Sequence, residues 1–325
     1  SSFADFNQGL PEGADFRQIR GMSVTPSGVL FALGQYGLYR LHAGKGWREV
    51  PLPRQEEKLS DITMRGDSLV VTGRSHVYLS IPPYRSFRQL TLPQAEGDDG
   101  KVSLFRTIWL LHSGKLFGTV GVLVVDGVAV ILIFLTLTGI VYWLVPRGGN
   151  GRLRRLVRRF STWHDRTGRL TIVLTLLLCV TGWFLRPPAL IAIASGKIPP
   201  LPFSTMDSDN PWHDKLRILA EPFRPKGTDE NESVAQLVRL LYSSNGFYSL
   251  KNLHAQPKAV GVQPPVSVMG INVEEKDKDG SWLIGSFNGM YKWDRSNHTV
   301  TDYYTGRPAK PITGRPVGTH VVAGY

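Results

Sequence analysis

From Gly127 to Val145 the chain runs for nineteen residues without a charge, GVAVILIFLTLTGIVYWLV. As helix this rises roughly 28 Å, close to the hydrocarbon thickness of a bilayer. A second apolar run, Leu170 to Leu185, is sixteen residues long and stops at Arg186, Pro187 and Pro188. It would rise roughly 24 Å, so it needs help from its ends. Starting that helix near Trp163 supplies it, because Trp163 and Trp183 then lie about 30 Å apart and reach both interfacial belts, while Tyr142 and Trp143 mark the belt of the first helix. The expected core is an antiparallel transmembrane helix pair.

The residues between the runs orient the pair. From Arg147 to Arg169 there are eight arginines and one acid, Asp165, so this stretch holds seven of the twelve net positive charges. The other five are spread over some three hundred residues with no basic stripe, which argues against nucleic acid and for a loop kept on the cytoplasmic side. The expected divisions are an outer β-rich segment at 1–105, an interfacial segment plus transmembrane helix at 106–146, a basic cytoplasmic loop at 147–162, a second transmembrane helix at 163–188, and an outer α+β segment at 189–325. Trp109 and Trp143 are 34 positions apart, roughly 51 Å of helix, more than one bilayer; the chain must bend, and Gly114, Gly118 and Gly121 offer the place. Asp126, near the outer end of the first span, reads either as an interface or packing carboxylate or as a proton or ligand contact. The 42% hydrophobic content conceals how strongly apolar residues concentrate between Leu116 and Ala194, and that unevenness excludes a disordered chain or a simple soluble enzyme. The only cysteine, Cys179, lies inside an apolar run, so there is no disulfide framework. Opening at Ser1 without methionine and stopping just after VVAGY, the sequence reads as a piece of a longer protein.

Three flanking stretches share one pattern, a short apolar strand, a glycine, then a tyrosine opening another strand: Ser27–Leu41, Asp67–Ser80 and Gly280–Trp293. Their glycine-to-tyrosine spacings are 5, 5 and 6 residues, a repeat with the length of a hairpin. With a following strand, each resembles a blade or half-blade of a β-propeller, and units from both sides of the helix pair are expected to pack into one mainly β domain. Glu232–Ser243 places Val234, Leu237, Val238 and Leu241 on one face and predicts an amphipathic helix.

Six of the eight histidines, including His76 and His213, fall in these flanks, where a solvated or core histidine is the default. His112 (LLHSGKLFG) and His164 (STWHDRTGRL) instead precede the two spans. A histidine there is expensive to bury alone, yet neutral imidazole is a strong ligand for haem iron. Each has a partner at its own level: Thr181 and Gly182 near His112, Thr138 and Gly139 near His164. The glycine would let a flat porphyrin approach; the hydroxyl could also simply bond back to its own helix. One histidine near each face, roughly 30 Å apart, cannot share one iron, so haem ligation stands beside interfacial snorkelling as a reading.

LLHSGKLFG with LTLTGIVYWLVPR, and WHDRTGRL with LLCVTGWFLRPP, resemble the PepSY-associated transmembrane family over about 80 residues, Arg106–Ala194. The resemblance implies a four-helix bundle in the bacterial inner membrane with large periplasmic segments, and electron transfer through b-type haem to an extracytoplasmic ferric siderophore. It assigns His112 to the outer haem and His164 to the inner one, with partner histidines supplied by missing helices or a second subunit. The alternative from another class is a membrane-anchored ligand-sensing or scaffold module. There is no G-x-S-x-G, H-E-x-x-H or P-loop to suggest a hydrolase.

Overall fold

The computed structural model describes residues 6–54, 57–144, 151–220, 239–267, 270–310 and 312–313. After a single helical turn, α1 (Ala14–Arg17), the chain builds two antiparallel meanders. The first is β1 (Gly21–Val24), β2 (Leu30–Leu33), β3 (Leu38–His42) and β4 (Gly46–Val50); the second is β5 (Leu59–Arg65), β6 (Ser68–Gly73), β7 (Val77–Ser80) and β8 (Arg88–Leu90). It continues through β9 (Val102–Ser103), α2 (Leu104–His112), a 3₁₀ turn (Lys115–Phe117), α3 (Gly118–Leu144), α4 (Gly151–Phe184), α5 (Ala189–Ala194) and β10 (Lys197–Ile198). Two further meanders follow. β11 (Leu216–Leu219), β12 (Arg239–Ser243), β13 (Gly246–Leu250) and β14 (Lys258–Ala259) form one. After β15 (Val262–Gln263), β16 (Ile271–Lys276), β17 (Trp282–Ser286), β18 (Gly289–Asp294) and β19 (Thr299–Asp302) form the other, and β20 (Ile312–Thr313) pairs with β15.

Residues 1–100 and 208–325 gather in one compact unit, and Lys101–Asp207 make a second. Within the β unit, Phe31, Leu33 and Leu38 of the first sheet pack on Leu59, Val71 and Tyr78 of the second. Val70, Val77 and Leu90 of the second meet Leu216, Leu241 and Tyr248 of the third, and Leu240, Tyr242 and Phe247 of the third meet Ile284, Tyr291 and Trp293 of the fourth. A sheet sandwiched on both faces needs strands that are apolar throughout, which is why Leu69, Val70 and Val71 are consecutive and fully buried. Each such side chain contributes about 1.5–3 kcal/mol over its exposed state.

Among the described residues the repeat has four members, where the sequence pattern picked out three. In each of the four-stranded sheets a tyrosine on the third strand is buried opposite an apolar residue of the second: Tyr39 opposite Ala32, Tyr78 opposite Val71, Tyr291 opposite Ile284, and Tyr248 opposite Leu241. The fourth was hidden under the helix expected at Glu232–Ser243. Residues 232–238 lie outside the described residues, but Arg239–Ser243 is β12, hairpinned to β13. Gly246, at φ +114, closes that hairpin, and strand pairing outweighs the helical spacing of the leucines. Among the described residues the sheets do not close into a barrel.

In the second unit, α3 and α4 are the two long apolar helices, with Lys115–Leu144 and Val157–Phe184 each sufficient to cross a membrane. α4 starts at Gly151 rather than near Trp163, so the described part of the expected basic loop, 151–162, is helical. Arginine is a good helix former, and no proline interrupts the stretch. The expected bend is present. Ser103 caps α2 by accepting from the Arg106 N–H, and the chain then breaks at Gly114 (φ +75) and Gly118 (φ +62). Gly114 and Gly121 lie backbone to backbone: a Cβ on Gly114 would sit 2.3 Å from the Gly121 carbonyl oxygen. Asp126 is exposed on α3.

Candidate functional site

The glycine break lets α2 turn back alongside α4, and this places His112, the last residue of α2, against the C-terminal end of α4. There its Nδ1 lies 3.0 Å from the Thr181 hydroxyl. At the other end of the pair, His164 of α4 places Nδ1 2.9 Å from the Thr138 hydroxyl of α3. The four side chains form two matched pairs, and the glycine after each threonine lies beside the partner ring. A Cβ on Gly182 would come within 3.0 Å of His112 Cε1, and one on Gly139 within 3.7 Å of His164 Cε1. All six residues singled out in the sequence therefore meet, three at each end.

The hydroxyls decide what the imidazoles can do. Thr181 donates its one proton to the Leu177 carbonyl at 2.8 Å, and Thr138 donates to the Phe134 carbonyl at 2.8 Å. A hydroxyl with its proton committed to a carbonyl offers only lone pairs to a second partner. Each histidine must then be the donor through Nδ1–H, an assignment made from the hydrogen-bond network. A neutral ring with hydrogen on Nδ1 carries its lone pair on Nε2, and no described residue hydrogen-bonds to that nitrogen in either ring. The back-bond of threonine to its own helix and its partnership with histidine are thus two halves of one arrangement. It is the arrangement that orients metal-ligating histidines: one nitrogen anchored by a second partner, the other presented.

Thr181 and His164 are 17 residues apart on α4, about 25 Å of helix rise, so the two ends are separate sites. Among the described residues no three His, Cys, Asp or Glu side chains cluster in a way that would enclose a bare metal ion. Each site offers a single imidazole with a side-chain-free glycine next to it. That donor set suits a metal already held in a planar macrocycle, whose iron needs only axial ligands.

A polar cluster in the β unit escaped the sequence reading. Glu57 accepts from the backbone N–H of Ser75, from the His76 N–H at 3.0 Å, from His76 Nδ1 at 2.9 Å and from the Tyr78 hydroxyl. Burial alone would raise the Glu57 pKa, but the hydrogen bonds from His76, Tyr78 and Ser75 outweigh it and hold the carboxyl below its ordinary range. Tyr78 is pushed well above the usual phenol range by burial and by Glu57. Asn210 completes the cluster by donating to the Ser75 carbonyl at 2.9 Å. His76 is a satisfied core histidine, as the default reading expects; its ties to Glu57 and Asn210, 19 and 134 residues away, leave no periodic trace.

Set against known proteins, residues 40–305 match the family profile described as PepSY-associated TM region. The match extends well beyond Arg106–Ala194 on both sides and takes in most of the β unit. No curated protein matches the chain.

Proposed function

The chain belongs to the PepSY-associated transmembrane family, and on that premise we propose that it carries electrons across the bacterial inner membrane through b-type haem, to reduce a ferric siderophore on the periplasmic side. The observation that supports this reading is the duplicated unit of a histidine whose Nδ1–H is held by a threonine hydroxyl and whose ring lies over a glycine. Two unrelated interfacial histidines have no reason to share a partner type, a bonding nitrogen, a back-bonded carbonyl and a neighbouring glycine.

His112, nearer the α2–α3 break, and His164, nearer the arginine-rich end of α4, are the residues that would each hold a haem through Nε2. Thr181 and Thr138 accept from Nδ1–H, which fixes the orientation of each imidazole and holds Nε2 forward. Gly182 and Gly139 leave the space beside each ring free of side chain. Haem held there would supply one-electron redox chemistry at iron, with any further ligand drawn from outside the described residues. No general acid or base of this chain is required.

The test is an optical spectrum of the intact, detergent-solubilised protein. A haem absorption band of bis-histidine type is expected, weakened by His112→Ala or His164→Ala. A correctly folded intact protein without colour would refute the reading.

A further inference from the structure

The first three turns of α4 carry an arrangement of side chains that orienting the helix pair by its net charge does not by itself require. Arg155, Arg158, Arg159, Thr162 and Trp163 fall at positions i, i+3, i+4, i+7 and i+8, one face of a helix. Together they line a groove of about 300 Å³, at the small end of the range for ligand sites. Residues 151–164 contain no acid, and the first carboxylate beyond them, Asp165, is held bidentately by Arg169. Among the described residues no carboxylate pairs with Arg155, Arg158 or Arg159, and Arg155 spends only Nε, on the Gly151 carbonyl. Three guanidinium groups thus share one groove with an indole and, among the described residues, no counter-charge.

We propose that this face binds the phosphodiester headgroups of acidic phospholipids. Depth selects the source of the phosphate. α4 has 34 residues, about 51 Å of rise, against about 30 Å of hydrocarbon. Trp163 is 53% exposed, where an indole marks the interface. Arg159 and Arg158 lie about 6–8 Å further along the axis and Arg155 about 12 Å, whereas the headgroup layer of one leaflet is about 5–8 Å thick. Arg158 and Arg159 therefore fall at phosphate depth, while Arg155 starts about 4 Å or more beyond the layer and reaches back to it along its long side chain. The planar fork of arginine donates two parallel N–H bonds to one phosphate, which lysine cannot do. The apolar side of the site is the lipid's own: Leu170 and Val173, exposed further along α4, offer a surface for its acyl chains.

The experiment uses the full chain in nanodiscs of phosphatidylcholine with a minor fraction of spin-labelled phosphatidylglycerol, and reads how strongly the labelled lipid is restrained beside the protein. With each arginine near the surface adding about fivefold and the gains only partly additive, phosphatidylglycerol should be enriched about tenfold over an equally labelled phosphatidylcholine. Arg155→Gln/Arg158→Gln/Arg159→Gln should bring the two lipids to parity. The matching triple lysine variant, which keeps the charge and guards against a folding failure of the first, should retain a preference of about two- to threefold. The proposal is overturned if the native chain does not discriminate between the lipids, if either triple variant equals it, or if soluble glycerol phosphate displaces the lipid at comparable concentration, which would make the groove a site for free phosphate instead.

Discussion

The two histidine sites are alike in chemistry but not in clearance, and the difference allows a directional test by Gly139→Ala and Gly182→Ala. Alanine in a helix interior is favoured over glycine by about 0.5–1 kcal/mol. At Gly139 nothing opposes that gain, because the new methyl meets only His164 Cε1 at 3.7 Å, an ordinary contact. Gly139→Ala should therefore stabilise the helix pair by about 0.5–1 kcal/mol. At Gly182 the methyl would arrive 3.0 Å from His112 Cε1, with Nδ1 and Nε2 at 3.6 and 3.7 Å. The ring must yield a few tenths of an ångström, yet it is tethered to Thr181 by a 3.0 Å hydrogen bond. Overpacking of this kind costs about 1–3 kcal/mol, so Gly182→Ala should come out neutral to about 2 kcal/mol destabilising once the helical gain is subtracted. Unfolding in mixed micelles, followed by far-ultraviolet circular dichroism, should separate the two variants by about 1–3 kcal/mol, with Gly139→Ala the more stable. If Gly182→Ala proves as stable as Gly139→Ala, the ring of His112 does not lie against Gly182 and the geometry of that site is wrong.

Thr181→Val and Thr138→Val keep shape but remove the acceptor for Nδ1–H, so nitrogen NMR of labelled histidine should change from a single Nδ1–H form to a tautomer mixture at His112 and His164 respectively; haem affinity, where haem is bound, should fall about 10–100-fold. An unchanged tautomer would remove the hydroxyl from the account. Glu57 titrates lower in the folded protein than an unfolded glutamate, near pH 4.3, so its contribution to stability is present above that pH and disappears as the pH falls through the folded value. Glu57→Gln should cost about 1–3 kcal/mol at neutral pH and flatten the acid limb of the stability curve; a parallel acid limb would dissociate the carboxylate from it. Glu274 on β16 goes the other way: burial and the neighbouring Asp61 push it up to about 8, although Arg65 pulls it down and Glu275 adds a smaller push. Stability should decline as pH rises from about 4.3 towards 8, because the folded state holds a proton the unfolded chain has released. Glu274→Gln should abolish that decline, and a wild type with flat stability over this interval would show that Glu274 is already ionised at neutral pH.

Local signals were legible because each has a short period or an extreme composition. The apolar runs, the glycine bend after His112, the blade-like repeat and the recurrence of Thr-Gly at matching levels all come directly from residue order, and the last placed all six site residues in their two groups. The fourth repeat was not legible, since Leu237 and Leu241 fit a helical spacing and only pairing of β12 with β13 makes Leu241 a strand residue. That α4 begins as early as Gly151 was not legible, because arginine density says where charge lies but not whether the backbone carrying it is helical.

Sequence order thus determined which segments are apolar enough to enter a bilayer and which residue types stand at the same depth within it. Tertiary structure alone decided that Thr181 and Thr138 spend their protons on their own helices and so leave His112 and His164 as donors. A tautomer depends on the direction of a hydrogen bond between residues 69 or 26 positions apart, and no periodicity in one dimension encodes direction.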